Sequence, residues 1–247
     1  MARLQFLAES AHGDSTLEEA VTVANRFLSL PEVIACTNDL AALQDFSTHM
    51  DTVDILWSQS DSQLYGWIDQ REQSAKTIYL NEIFKQRLHL LPQNSEENPR
   101  IQFLLVATIL HQLAHIIIGW TGHKRSPDGF QGEAGCWFEN MVFGGVLAPQ
   151  IQKGAGKSSS KWTMTMPISG VAIRTFQQGL RRVPDKTIVN LLSARKNFFS
   201  LFPLGFEDYR RRKGQFVCFG VLHEHRIPAL EVLPPPGTFV LFDWCGT

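Results

Sequence analysis

The feature that most limits how this chain can fold is the stretch from Pro99 to Ile118. Phe103, Leu104, Leu105, Val106, Ile109, Leu110, Leu113, Ile116, Ile117 and Ile118 would cover nearly every face of a helix. A helix apolar all round has no side to offer water, so it is expected to run through the middle of the protein. Asn98-Pro99 is a start signal, an N-cap residue followed by proline at the first helical position, and Gly119 is the expected stop. Gln102, Thr108, His111, Gln112 and His115 interrupt the apolar run, which argues against a membrane span. The residues Met1 to Ser10 lack the apolar core of a signal peptide. The expectation is a soluble, cytoplasmic or otherwise intracellular protein with no membrane partner.

With 247 residues, 44% of them apolar, the chain can fill a large core. Its 23 basic and 24 acidic residues leave a net charge of -1, which excludes binding to a polyanion through charge excess, so no nucleic-acid partner is expected. Cys36, Cys136, Cys218 and Cys245 are scattered without CxxC spacing, and read as buried small hydrophobes rather than as disulfides or a cysteine metal site.

The chain opens with helical character. Leu17, Val21, Ala24 and Leu28 recur at helical spacing behind Ser15 or Thr16 as a cap, and Leu40, Leu43 and Phe46 suggest another helix. Asp54–Trp57, Leu64–Asp69 and Lys76–Leu80 then read as short strands of a small meandering sheet. A short helix is expected over Asn81–Leu91. Beyond the central helix, Ser126–Gly129 makes a turn, and Gly132–Phe143 reads as a second helix ended by Gly144-Gly145. Residues Gln152–Lys161 are a linker; their Gly154-Ala155-Gly156-Lys157-Ser158 is not a phosphate loop, because Ile151 stands where the first glycine belongs. Helices near Val171–Leu180 and Asp185–Phe199 and strands near Gln215–Leu222 and Thr238–Phe242 complete the reading. The expected organisation is an N-terminal lobe over 1–150 that holds the central helix and a mostly helical C-terminal lobe over 151–247, with the boundary in 152–161.

The chemistry sits in the central helix, at His111-Gln112-Leu113-Ala114-His115. Histidines four apart project from one helix face a turn apart, so both imidazoles can reach one tetrahedral Zn2+. The plain alternative is a core pair hydrogen-bonded to carbonyls. Burying two imidazoles in so apolar a helix is costly without a shared partner, and that favours the metal.

Those residues resemble the zincin metallopeptidases, which place HExxH on a buried helix behind a small mixed sheet; the likeness covers about Thr77 to Gly145. It implies an α+β fold, a zinc cofactor, and a peptide or other amide-containing substrate. It further implies that an edge strand pairs with an extended peptide, a role given to Thr77, Ile78, Tyr79 and Leu80 or to a neighbouring strand. The third ligand remains open. The metzincin pattern HExxHxxGxxH fails here, since Gly119 and His123 both come too late. Gluzincins take a glutamate from a second helix, and two are at hand. Glu133, 18 residues after His115, has small neighbours Gly132, Ala134 and Gly135 that permit close approach, and is preferred. Glu139 would lie on another face of that helix, as an alternative ligand or a residue orienting a histidine, and His123 is a further alternative.

In the zincin motif the glutamate beside the first histidine takes the proton of the attacking water. Here that position is Gln112, which cannot accept it. The chain is therefore expected to be a catalytically impaired Glu-to-Gln form of a zinc metallohydrolase, engineered or natural. Other readings are a pseudoenzyme that binds zinc and a ligand, or a zinc enzyme acting on a small metabolite. An oxyanion stabiliser is expected from the C-terminal residues, with His223, beside Glu224 and His225, and Tyr209, beside Arg210, Arg211 and Arg212, as candidates.

Overall fold

The computed structural model describes residues 4–8, 15–41, 52–59, 65–69, 76–92, 94–121, 134–152, 167–175, 179–193, 204 and 216–218. The later half of the helix expected around Leu40–Phe46, the turn at 126–129, the linker from 153 onward and the strand at 238–242 lie outside these residues. So do His123, Glu133, Tyr209 and His223.

The apolar run forms α4 (Glu97–Thr121), buried along almost its whole length. Against it pack α1 (Ser15–Phe27), α2 (Pro31–Ala41), α5 (Ala134–Phe143) and α6 (Asp185–Ser193). Its length and hydropathy would suit a membrane crossing, but its side chains are buried within the protein. The helix begins earlier than Asn98-Pro99 implied: the Glu97 backbone N–H donates to Ser95 Oγ at 3.2 Å, and Pro99 sits in the first turn, where no intrahelical donor is needed. It also continues through Gly119 to Thr121, because that glycine keeps helical geometry.

One sheet has the order β1-β2-β4-β3, built from β1 (Gln5–Ala8), β2 (Thr52–Ser58), β3 (Gly66–Ile68) and β4 (Thr77–Asn81). β1, β2 and β4 are parallel, and β3 runs antiparallel along β4. The expected meander is thus a mixed sheet: α1 and α2 form the crossover that a parallel β1–β2 pair demands. Phe6, Val53, Ile55, Ile78 and Leu80 alternate inward to the core, while Leu7 and Asp54 face outward. Asn81 ends β4 and caps α3 (Glu82–Leu90), its Oδ1 accepting from Ile83 N–H at 3.1 Å.

A second, antiparallel sheet has the order β7-β6-β5-β8: β5 (Val146–Gln152), β6 (Ile168–Thr175), β7 (Gly179–Val183) and β8 (Phe216–Cys218). The helix expected over Val171–Leu180 is instead the β6–β7 hairpin. Val171, Ala172 and Ile173 are all buried, and β-branched residues buried on both faces of a sheet mimic a helical run. Of the described residues beyond 151, α6 alone is helical, so this part is mostly strand rather than mostly helical. The boundary expected at 152–161 falls between the paired strands β5 and β6, and one apolar cluster runs from Leu4 to Leu204.

Buried charges bind these parts together at the start of α4. Arg87 of α3 grips Glu97 through two bonds of 2.8 and 2.6 Å, and Glu97 Oε1 also accepts from the Ile168 backbone N–H at 2.9 Å. Arg100 makes two 2.8 Å bonds to Asp185 of α6 and one to the Ile168 carbonyl. The Arg100 hydrogen bonds hold the Asp185 carboxyl below the usual carboxylate range, and Arg100 itself is raised by the same pairing.

Candidate metal centre

His111 and His115 project from one face of α4, as their spacing predicts, and their Nε2 atoms stand 3.4 Å apart. That is long for an N–H···N hydrogen bond. It matches the edge of a coordination tetrahedron, about 3.3–3.4 Å for two nitrogens each about 2.0–2.1 Å from a zinc-like ion. His111 is buried and His115 partly exposed, so the side toward His115 is the accessible one.

Behind His111 stands Glu139 of α5. Its Oε1 accepts from His111 Nδ1 at 2.6 Å and its Oε2 accepts from the Leu147 backbone N–H at 2.7 Å, both ends of the contact being buried. A carboxylate accepting there puts the imidazole proton on Nδ1 and leaves the Nε2 lone pair directed at His115. The local chain makes this possible. Gly144, with φ 84°, ends α5 in a left-handed turn that returns β5 to the Glu139 carboxylate. Gly135 lies so close to the imidazole of His111 that a Cβ there would collide with the ring. The small residues expected to bring this helix close thus do so at Gly135.

Glu139 therefore sits on the Nδ1 side of His111, away from the converging Nε2 atoms. Among the described residues no group of three His, Cys, Asp or Glu side chains gathers around a common point. The two imidazoles and the carboxylate behind one of them fit a metal ion as far as they go. The remaining candidates, Glu133 and His123, lie outside the described residues, as do His223 and Tyr209. Cys36 and Cys136 are both buried. Burial, then the charges of Asp39 and Glu32, push Cys36 up to about 12, which leaves it a small hydrophobe, as its sequence context suggested.

The strand assignment needs correcting. Thr77, Ile78, Tyr79 and Leu80 lie in β4, whose two sides are taken by β2 and β3, so this strand has no edge at Ile78–Leu80 to offer a peptide. Among the described residues the edge beside α4 is β3. Gln112 reaches that strand: its Nε2 donates to the Gly66 carbonyl at 3.1 Å. Gly66 permits this approach, since a Cβ there would stand 2.7 Å from Thr108 Cγ2 and 2.9 Å from the Tyr79 carbonyl oxygen. Neither Gly66 nor the Leu147 N–H stood out in the sequence, because each acts through its backbone. A glycine between two aromatics, Tyr65-Gly66-Trp67, was the one available hint of close backbone approach.

The mixed α+β fold turns two histidines of a buried helix toward one point. Residues 27–144 match the family model described as metallopeptidase toxin 3, a span just under half of the chain that includes both histidines, Gln112 and Glu139. The match suggests a metallopeptidase-type family. No curated protein and no solved structure matches the chain.

Proposed function

We propose that the chain is a zincin-like zinc metallohydrolase acting on peptide or other amide bonds, catalytically impaired as it stands. The observation that carries this is the 3.4 Å convergence of the His111 and His115 Nε2 atoms with the Glu139 carboxylate behind His111. Bound zinc would supply a Lewis acid for a substrate carbonyl. His111 and His115 would hold it, and Glu139 would fix the His111 tautomer. Glu133 is the proposed third ligand, since it precedes by two residues the glycine that lies against the His111 ring. An extended peptide would run along the edge of β3, and an oxyanion donor would come from His223 or Tyr209. Gln112 cannot take a proton from water, which lowers turnover by about 10²–10⁴ relative to a carboxylate base.

Metal analysis of protein purified without chelator tests the site. Near-stoichiometric zinc, lost in His111→Ala and His115→Ala, is the expected result, and metal-free wild-type protein overturns the proposal. Comparing Glu133→Ala with His123→Ala assigns the third ligand.

A second reading, a zinc-binding module without turnover, is favoured by the Gln112 hydrogen bond to Gly66, which already engages the side chain that a hydrolase would aim at water. Peptide hydrolysis by Gln112→Glu, zinc bound, would decide for the enzyme; persistent inertness with zinc bound would decide for the module.

A further inference from the structure

Gln112 donates to a backbone group that the sheet does not use. Along β3 the Asn81 N–H donates to the Tyr65 carbonyl at 2.9 Å, and the same register carries Gly66 opposite Leu80 and Trp67 opposite Tyr79. In an antiparallel pair, residues that exchange hydrogen bonds alternate with residues whose polar groups face away from the partner. Tyr65 and Trp67 therefore face β4, while Gly66 and Ile68 present their N–H and C=O to the open side of the edge. The Gly66 carbonyl is the acceptor that Gln112 takes. Gln112 is only 3% exposed. A carboxylate of the same shape has no proton to donate there, and two buried acceptors would oppose each other.

We infer that position 112 is built for an amide: Gln112 is a positioning residue that pins the edge strand β3 to the histidine-bearing helix and occupies the first outward carbonyl of that edge. A peptide added along β3 then finds its carbonyl acceptor at Ile68, the Gly66 carbonyl being already taken. This last consequence rests on the peptide-binding reading above; the pin itself depends on neither metal nor substrate. It also gives glutamine a structural purpose of its own beside histidine, so that the residue is more than a disabled base.

The test uses the full chain with zinc removed by chelator, so that it stands whatever the metal analysis returns. In isotope-labelled protein, the Gln112 side-chain amide should show slowed solvent exchange and a through-hydrogen-bond coupling to the Gly66 carbonyl carbon. Free exchange with no coupling overturns the pin. Gln112→Glu and Gln112→Met should both lower Tm by several degrees and speed exchange of the Trp67 amide, which reports the attachment of β3 to β4, about tenfold. A Gln112→Glu protein as stable as wild type, with Trp67 equally protected, also overturns it. Should either variant fail to fold, the exchange and coupling measurements on wild type decide alone.

Discussion

The two ends of α4 handle buried polarity in opposite ways. At the N-terminal end each charge meets its opposite: Glu97 lies between Arg87 and the Ile168 N–H, and Arg100 between Asp185 and the Ile168 carbonyl. At the other end like meets like, for the Nε2 atoms of His111 and His115 approach each other to 3.4 Å. Opposite groups that saturate one another hold α3, α4, β6 and α6 together and need nothing more. The converging imidazole nitrogens, with a carboxylate fixing one from behind, are what the proposed metal site rests on. Burial alone would not have told the two ends apart, since Glu97, Arg100 and His111 are all buried.

That contrast can be broken from either end. The largest effect is expected for Glu97→Ala, which strands Arg87 and the Ile168 N–H: a loss of about 3–5 kcal/mol in denaturant unfolding, with zinc content per folded molecule unchanged. If zinc is lost along with stability, the ends are not independent. Gly135→Ala comes next, because its Cβ must displace the His111 ring. About 2–3 kcal/mol of destabilisation is expected, together with weakened zinc binding. Glu139→Gln keeps the shape but leaves one oxygen for two donors, His111 Nδ1–H and Leu147 N–H. Zinc affinity measured by competition with a chelator should fall about 10–100-fold.

The smallest effect is at Asp185. Its folded pKa is depressed by Arg100, so its contribution is fully present above the unfolded value of about 3.9 and disappears as pH falls through the folded value. Since Asp185 is partly exposed, the effect should stay below about 1 kcal/mol. Acid unfolding of Arg100→Met should lose most of this part of the slope below pH about 4, the remainder being kept by Arg182, 3.0 Å from the same carboxylate, and an unchanged slope would remove the Arg100–Asp185 pair from the network.

How much of this was legible in sequence depends on distance along the chain. The reading over Asn81–Leu91 matched α3 closely, and Gly144 ends α5 where the glycine pair suggested. Val171–Leu180 was misread because a strand buried on both faces has no period that distinguishes it from a helix. β1, with only four residues, was missed. The edge role given to Thr77–Leu80 failed for a different reason: strand order is set by pairing between segments, and nothing within β4 records that β3 returns to cover it.

The sequence by itself determined α4 as the buried axis, because a helix apolar on every face has no stable place but the interior, and it determined that His111 and His115 share a face, because four residues are about one turn. Only the tertiary structure decided what surrounds them. The return of β5 through Gly144 sets Glu139 behind His111, and the edge position of β3 aims the Gly66 carbonyl at Gln112. Helical periodicity is local and can be read from side-chain order. Which carbonyl meets which amide is a matter of packing between distant segments, and here two backbone groups, invisible as residue types, settle it.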